Sequence, residues 1–187
     1  MGSIIDLLGS SFIGGMVFLM IFKLNLYTHS SAMTSDSELK LQQNAKTLAE
    51  ILNYDLRKVG YKCDSTSMTI ADSNKIKFLS DIDRDGDIDN LEFCVSNTDA
   101  VPSTQNPNDI ILYRIFNGDT LGGPSLGLTK IKFSYLNQFN QHTTVLDSIK
   151  YIRTELWVQG ENQLENIFGK MEYQNTYWEM TINPRNL

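Results

Sequence analysis

Two consecutive stretches near the start of the chain decide the fold. The first reads FIGGMVFLMIFKLNL (Phe12–Leu26), and the second reads LKLQQNAKTLAEILNYDLRKVGY (Leu39–Tyr61). The first is almost wholly apolar, whereas apolar residues of the second recur every three or four positions, as one face of an α-helix requires. Gly60 is placed to end this helix. The sequence therefore predicts one long helix, apolar at first and then amphipathic. The predicted apolar stripe consists of Leu41, Ala45, Leu48, Leu52, Leu56 and Val59.

The segment between the two stretches, THSSAMTSDSE (Thr28–Glu38), leaves the continuity of this helix open. Its serine and threonine side chains compete for backbone hydrogen bonds. Two interpretations fit the segment. It is either a kinked or partly melted stretch of one helix, or a fresh helix start capped by Ser35 or Asp36.

After Cys63 the pattern changes to short runs typical of β-strands. No helical crossover separates these runs, so they favour an antiparallel sheet packed on the long helix, which is an α+β fold. Ser96–Pro107 is expected to be a surface loop, Gly118–Gly127 a glycine-rich turn region, and Gly160–Gln174 a polar, mobile segment. The predicted strands are Met68–Ile70, Lys75–Leu79, Leu91–Val95, Asp109–Phe116, Thr129–Leu136, Ser148–Val158 and Tyr177–Asn183.

These patterns divide the chain into three parts. Residues 1–27 form an apolar membrane or filament-core helix, and residues 28–61 its amphipathic continuation. Residues 62–187 form a β-rich head domain, which contains an acidic loop at residues 81–92.

The apolar part of the helix suits a membrane or a bundle of helices. A helix crosses the hydrocarbon with about 20 residues, but Lys23, Asn25 and the Gly14–Gly15 pair make this segment a poor lipid-facing span. Small residues let helices approach closely. We therefore interpret Gly14 and Gly15 as packing positions between copies of the chain. A secretory signal fits less well, because a basic start and a small-residue cleavage site are absent.

The run DIDRDGDIDNLE (Asp81–Glu92) has the spacing of a calcium-binding loop. Calcium takes about six to eight oxygen ligands, and Gly86 permits the sharp turn that brings them together. The flanking runs read as strands, so we interpret the run as a structural calcium loop on a β-hairpin and not as an EF-hand. A solvated acidic turn is the alternative. The predicted Ca²⁺ ligands are Asp81, Asp83, Asp85, Asp87, Asp89 and Glu92.

Cys63 and Cys94 are the two cysteines of the chain. One follows the predicted helix and the other lies in a predicted strand. In an exported domain they are expected to form a disulfide that joins helix and sheet. Two buried free thiols are the alternative.

The remaining sequence gives no sign of catalysis or of nucleic-acid binding. His29 and His142 have no partner at a catalytic spacing, and no nucleophile elbow, phosphate-binding loop or dinucleotide fingerprint is present. The net charge is −6, and the lysines and arginines are scattered, which disfavours nucleic acid as a partner. We therefore expect a protein that is not an enzyme.

Taken together, the chain resembles the type IV pilin-like proteins, and among them the PilW-like minor pilins and pseudopilins. The resemblance rests on the apolar-then-amphipathic helix that ends in LQQNAKTLAEILNYDLRKVGY, on the hairpin KIKFLSDIDRDGDIDNLEFCV, and on the closing INPRNL. It covers the whole chain. Members of the family carry an acidic residue near the start of the mature chain, and Asp6 stands at a comparable position here.

This resemblance implies a structural subunit of a type IV pilus-like filament. Such a subunit is held in the inner membrane before assembly, where it interacts with the pilus assembly machinery. It then packs helix to helix with copies of itself or related pilin subunits in a filament at the cell surface. Asp6, Gly14 and Gly15 are its implied assembly residues, with Asp6 neutralising the N-terminal amine of a neighbour.

Two further hypotheses stay open at this point. One is a single-pass, membrane-anchored extracellular module that binds or adheres in a calcium-dependent way. The other is an anchored hydrolase with a metal at Asp81–Glu92, which is disfavoured because a calcium loop made of these carboxylates leaves no evident open coordination position and no evident general base outside the ligand set.

Overall fold

The computed structural model describes residues 2–63, 66–96, 104–123, 125–165 and 169–187. This part of the chain forms one long helix followed by antiparallel strands, and the predicted α+β class is confirmed. The elements are α1 (Gly2–Leu56), β1 (Met68–Ala71), β2 (Lys75–Ser80), β3 (Asp89–Val95), β4 (Leu112–Phe116), β5 (Asp119–Gly122), β6 (Leu128–Leu136), a 3₁₀ turn (Leu146–Ser148), β7 (Tyr151–Glu165) and β8 (Met171–Ile182).

The strands form two antiparallel sheets. The first has the order β1-β2-β3-β4-β5 and the second the order β6-β7-β8. Within each sheet consecutive strands are neighbours, as short connections favour. In the first sheet Lys75 pairs with Cys94 and Ser80 with Asp89. The acidic run is therefore the loop that closes the β2–β3 hairpin.

The chain divides into two compact units, Met1–Leu39 and Lys40–Leu187. Within the second unit, the predicted apolar stripe from Leu41 to Val59 is buried and belongs to one continuous core with residues of both sheets. Burial of each large apolar side chain contributes about 1.5–3 kcal/mol, so this stripe is a main source of stability. The largest fully buried side chains that the sheets contribute to this core are Phe78, Phe93 and Phe133.

An ion pair fixes the end of the helix to the first sheet. Nε of Arg114 on β4 lies 2.7 Å from Oδ2 of Asp55, and Nη2 lies 3.4 Å from Oδ1. The Asp55 side chain is 3% exposed and that of Arg114 is 25% exposed. A two-bonded contact of this kind is directional as well as strong. It therefore sets the rotation of the helix on the sheet.

The structure decides the open question about the helix and contradicts two other expectations. The helix is continuous through Thr28–Glu38, as one long helix predicts, and hydroxyls there bond back along it, as Thr28 does to the carbonyl of Leu24 at 2.8 Å. The Gly118–Gly127 region contains strand β5, and Gly160–Gln174 is largely strand, because β7 and β8 extend into it. The described residues of Ser96–Pro107 contain no strand or helix; residues 97–103 lie outside the described part.

The predicted disulfide between Cys63 and Cys94 is also wrong, because both residues are thiols in the structure. The turn before Cys63 is bonded to the far end of β2, where the amide of Gly60 donates to the carbonyl of Leu79. Cys94 pairs with Lys75 at the other end of that strand. Four residues of strand span about 13 Å, whereas a disulfide needs Cα atoms within about 7 Å.

Loss of the Asp55–Arg114 pair is expected to destabilise the domain. Asp55→Ala leaves a half-buried guanidinium without its partner, so the free energy of unfolding should fall by about 2–4 kcal/mol. Urea denaturation of the full chain in detergent measures this change. Glu50→Ala is the matched control on the same helix, because the Lys46–Glu50 pair is 66% exposed on both sides and should contribute less than about 1 kcal/mol. Equal losses in both variants would contradict the prediction.

Candidate functional site

The loop of the β2–β3 hairpin brings three carboxylates together. Asp81 directly follows β2, and Asp89 begins β3 opposite Ser80, so the pairing of the two strands places these aspartates side by side. Asp83 lies in the loop between them. One carboxylate oxygen from each of the three lies within 4.8 Å of the others.

The backbone of the loop folds as a series of aspartate turns. Oδ1 of Asp83 accepts the amide of Asp85 at 3.2 Å, and Oδ1 of Asp85 accepts the amide of Asp87 at 2.8 Å. Gly86 has a φ of +102°, a conformation that favours glycine. The sharp turn that the sequence predicts at Gly86 is therefore present.

Two of the three clustered carboxylates are buried. Asp89 is satisfied on both oxygens: Oδ2 accepts the amide of Ile82 at 2.8 Å, and Oδ1 accepts Nδ2 of Asn117 at 2.8 Å. The Asp81 side chain is 0% exposed, and its Oδ2 accepts a hydrogen bond from Nζ of Lys62 at 2.5 Å. Among the described residues, Oδ1 of Asp81 has no hydrogen-bond partner.

The electrostatics of Asp81 follow from these contacts. The hydrogen bond from Lys62 lowers the pKa of the Asp81 carboxyl below its usual value and raises the pKa of Lys62. The backbone amides of Arg84 and Gly86 lower the Asp81 pKa further. They act through their dipoles, without reaching the distance and angle of a hydrogen bond to Oδ1. The carboxylate is therefore held ionised in a buried position.

The other three predicted ligands lie apart from this cluster. Asp85 and Asp87 are exposed in the loop. Glu92 points to the opposite face of β3, where it pairs with Nζ of Lys75 at 2.8 Å and of Lys77 at 3.7 Å. Side chains alternate across a strand, so Glu92, three residues after Asp89, points away from it. The structure thus assembles half of the predicted ligand set.

Two residues near the cluster escaped the sequence analysis. Lys62 and Asn117 contact Asp81 and Asp89 but stand far from them in the chain. No spacing rule connects them to the acidic run, because only the turn after α1 and the β3–β4 pairing bring them close.

The arrangement has the chemistry of a hard-cation site. Carboxylate oxygens are the ligands that Ca²⁺ and Mg²⁺ prefer, and carbonyls or water complete the coordination in many proteins. Asp81, Asp83 and Asp89 would be the protein ligands here. Lys62 supplies positive charge to the same carboxylate.

The helical residues of the first unit form a second feature. An 18-residue window of α1 has a mean hydropathy of 2.0, and none of it is buried. By length and composition this helix can cross a membrane. Asp6 is exposed on it, and a Cβ added at Gly9, Gly14 or Gly15 meets nothing within 4 Å.

Comparisons with known proteins give no match. No family model, no curated protein and no solved structure matches this chain. The apolar helix and the hairpin loop are therefore the features from which a function is inferred.

Calcium is expected to stabilise the domain through the three clustered aspartates. At a free concentration a hundredfold above its dissociation constant, binding adds about 2.7 kcal/mol, a rise in melting temperature of roughly 5–10 °C. Thermal melts of the full chain in detergent, with CaCl₂ or with EDTA, measure this shift. Asp83→Asn should remove it, whereas Asp87→Asn, with the same charge change in the same loop, should retain it. A melting temperature of the unaltered chain that is equal in both conditions would contradict the prediction.

Proposed function

We propose that this chain is a structural subunit of a type IV pilus-like filament, with a β domain stabilised by calcium. It is held in the inner membrane before assembly. It then packs through its N-terminal helix against other copies or related pilin subunits in a filament at the cell surface. The proposal assigns the chain no catalytic step. The observation that carries it is the uncovered apolar surface of α1.

That surface needs a cover other than water. Large side chains such as Phe12, Phe18 and Phe22 are exposed by half or more. Each Å² of apolar surface removed from water contributes about 25 cal/mol. Lipid and a bundle of similar helices are the two environments that supply this burial along a helix of this length.

The polar and small residues of the helix favour the bundle as the final environment. Gly14 and Gly15 add no apolar side chain that lipid could cover, so they do not stabilise the helix in a bilayer. Two helices, in contrast, approach more closely where both lack side chains. Asp6 is an ionisable group in an apolar segment, and such a group is stable there when an opposite charge accompanies it. A neighbouring subunit supplies both a partner surface and, in its N-terminal amine, a counter-charge.

The β domain suits a subunit that works outside the cell. A divalent cation bound by Asp81, Asp83 and Asp89 would tie both strands of the β2–β3 hairpin to one centre, in surroundings where calcium is plentiful. The inner-membrane pilus assembly machinery is the second partner that the proposal requires, since a membrane-held helix must be extracted to enter a filament.

A membrane-anchored, calcium-dependent binding module is the second candidate. It is favoured by an aromatic patch on the second sheet, where the ring centroids of Trp157 and Tyr177 lie 5.2 Å apart and Nζ of Lys130 lies 4.8 Å from the Trp157 ring. Such amphipathic aromatic surfaces are common in recognition sites.

Substitution of the two adjacent glycines separates these candidates. Gly14→Leu with Gly15→Leu raises the hydrophobicity of the helix and its helix propensity, so membrane insertion should be retained. In a filament the new side chains would prevent close approach, so the fibre yield should fall at least tenfold. Fractionation and shearing of cells that produce the variant measure both quantities.

Met16→Leu with Met20→Leu is the matched control, because it keeps size and hydrophobicity on the same helix. Its fibre yield should equal that of the unaltered chain. Normal fibres from the double-glycine variant would contradict the filament proposal and favour the anchored module.

A further inference from the structure

Lys62 reaches the acidic loop from the turn that follows α1. This turn is hydrogen-bonded to the start of the loop, where the amide of Asp81 donates to the carbonyl of Tyr61 at 3.0 Å. Lys62 itself has a φ of +60°, which is uncommon for a residue with a side chain. A backbone held in this conformation positions its ammonium group on Asp81.

The ammonium group satisfies Asp81 only in part. Nζ of Lys62 lies on Oδ2, and Oδ1 in the same buried carboxylate has no hydrogen-bond partner among the described residues. The backbone amides of Arg84 and Gly86 act on this carboxylate, but neither completes a hydrogen bond to Oδ1. A buried carboxylate oxygen without a full hydrogen bond is unfavourable. It marks the position where a further electropositive group would be stabilised, beside the oxygens of Asp83 and Asp89.

Three other lysines of the hairpin and the helix end have partners outside the cluster. Nζ of Lys58 donates to the carbonyl of Ile82 at 3.3 Å and lies 3.9 Å from the ring centroid of Tyr54. Lys75 and Lys77 pair with Glu92 on the opposite face of β3. Within the described ranges, Lys62 is the only side chain that forms an ion pair with Asp81, Asp83 or Asp89.

We propose that Lys62 is a tethered cation that competes electrostatically with a divalent cation for the negative charge of Asp81, and so weakens binding of a metal ion at the neighbouring oxygen Oδ1. This inference rests on the calcium site of the proposed function. A calcium ion lies about 2.3–2.6 Å from its oxygen ligands, and an ammonium group on the same carboxylate would repel it. The ammonium group of Lys62 therefore lowers the affinity of the loop for the metal ion.

This competition has two consequences for the domain. Without the metal ion, Lys62 offsets the charge of buried Asp81 and keeps the hairpin loop folded. With Lys62 tethered so close, the affinity for the metal ion is lower than the three aspartates alone would give, because the ammonium group offsets the charge that attracts the ion and repels the ion itself.

Calcium titration of Lys62 variants tests the competition. Isothermal titration of the full chain in detergent with CaCl₂ should show about tenfold tighter binding to Lys62→Gln than to the unaltered chain, because a charge that repels the divalent ion at close range is removed. Lys75→Gln is the matched control, because it removes the same charge from a lysine paired on the opposite face of the hairpin; its affinity should change less than about twofold. Lys62→Gly suits the positive φ and serves as a second variant with the same expected gain.

The outcomes separate the competition from the claims on which it rests. Tighter binding by both Lys62 variants and not by Lys75→Gln supports the competition. Equal or weaker binding by the Lys62 variants overturns it while leaving the calcium site in place. Absence of binding by every variant and by the unaltered chain overturns both, and fibre formation by the chain then decides the filament proposal separately.

Discussion

Burial of the amphipathic stripe of α1 is the interaction on which the folded domain depends. Residues from Leu41 to Val59 share one core with both sheets, so neither sheet has a complete apolar layer without them. The Asp55–Arg114 pair then fixes the rotation of the helix against β4. With helix and sheet held in this way, the turn after α1 lies beside the end of β2, which is where the acidic loop starts.

The loop shows how strand geometry changes the meaning of a sequence motif. In a helix-flanked calcium loop, the twelfth residue turns back toward the ion. Here a strand follows the loop, and its alternation directs Glu92 to the lysines on the other face. The remaining cluster of Asp81, Asp83 and Asp89 carries much negative charge in a buried place, and Lys62 offsets part of it.

The sequence predicts those features that depend on local pattern. The helix, its buried stripe, the β2–β3 hairpin and the turn at Gly86 all follow from spacing within a few residues. The outer part of the β7–β8 hairpin escapes prediction because both of its faces are exposed, as at Gln163 and Glu172, so no apolar alternation marks it. Lys62, Asn117 and the separation of Cys63 from Cys94 depend on pairing between distant strands, which spacing alone does not reveal.

The filament proposal depends on the exposed apolar surface of the first unit. Electron microscopy of material sheared from cells that make this chain, with the subunits identified by mass spectrometry, tests it most directly. If α1 packs in a filament, the fibres contain this chain, with a mature N-terminus close to Asp6. Fibres without this chain, together with its full retention in the membrane fraction, would contradict the filament proposal.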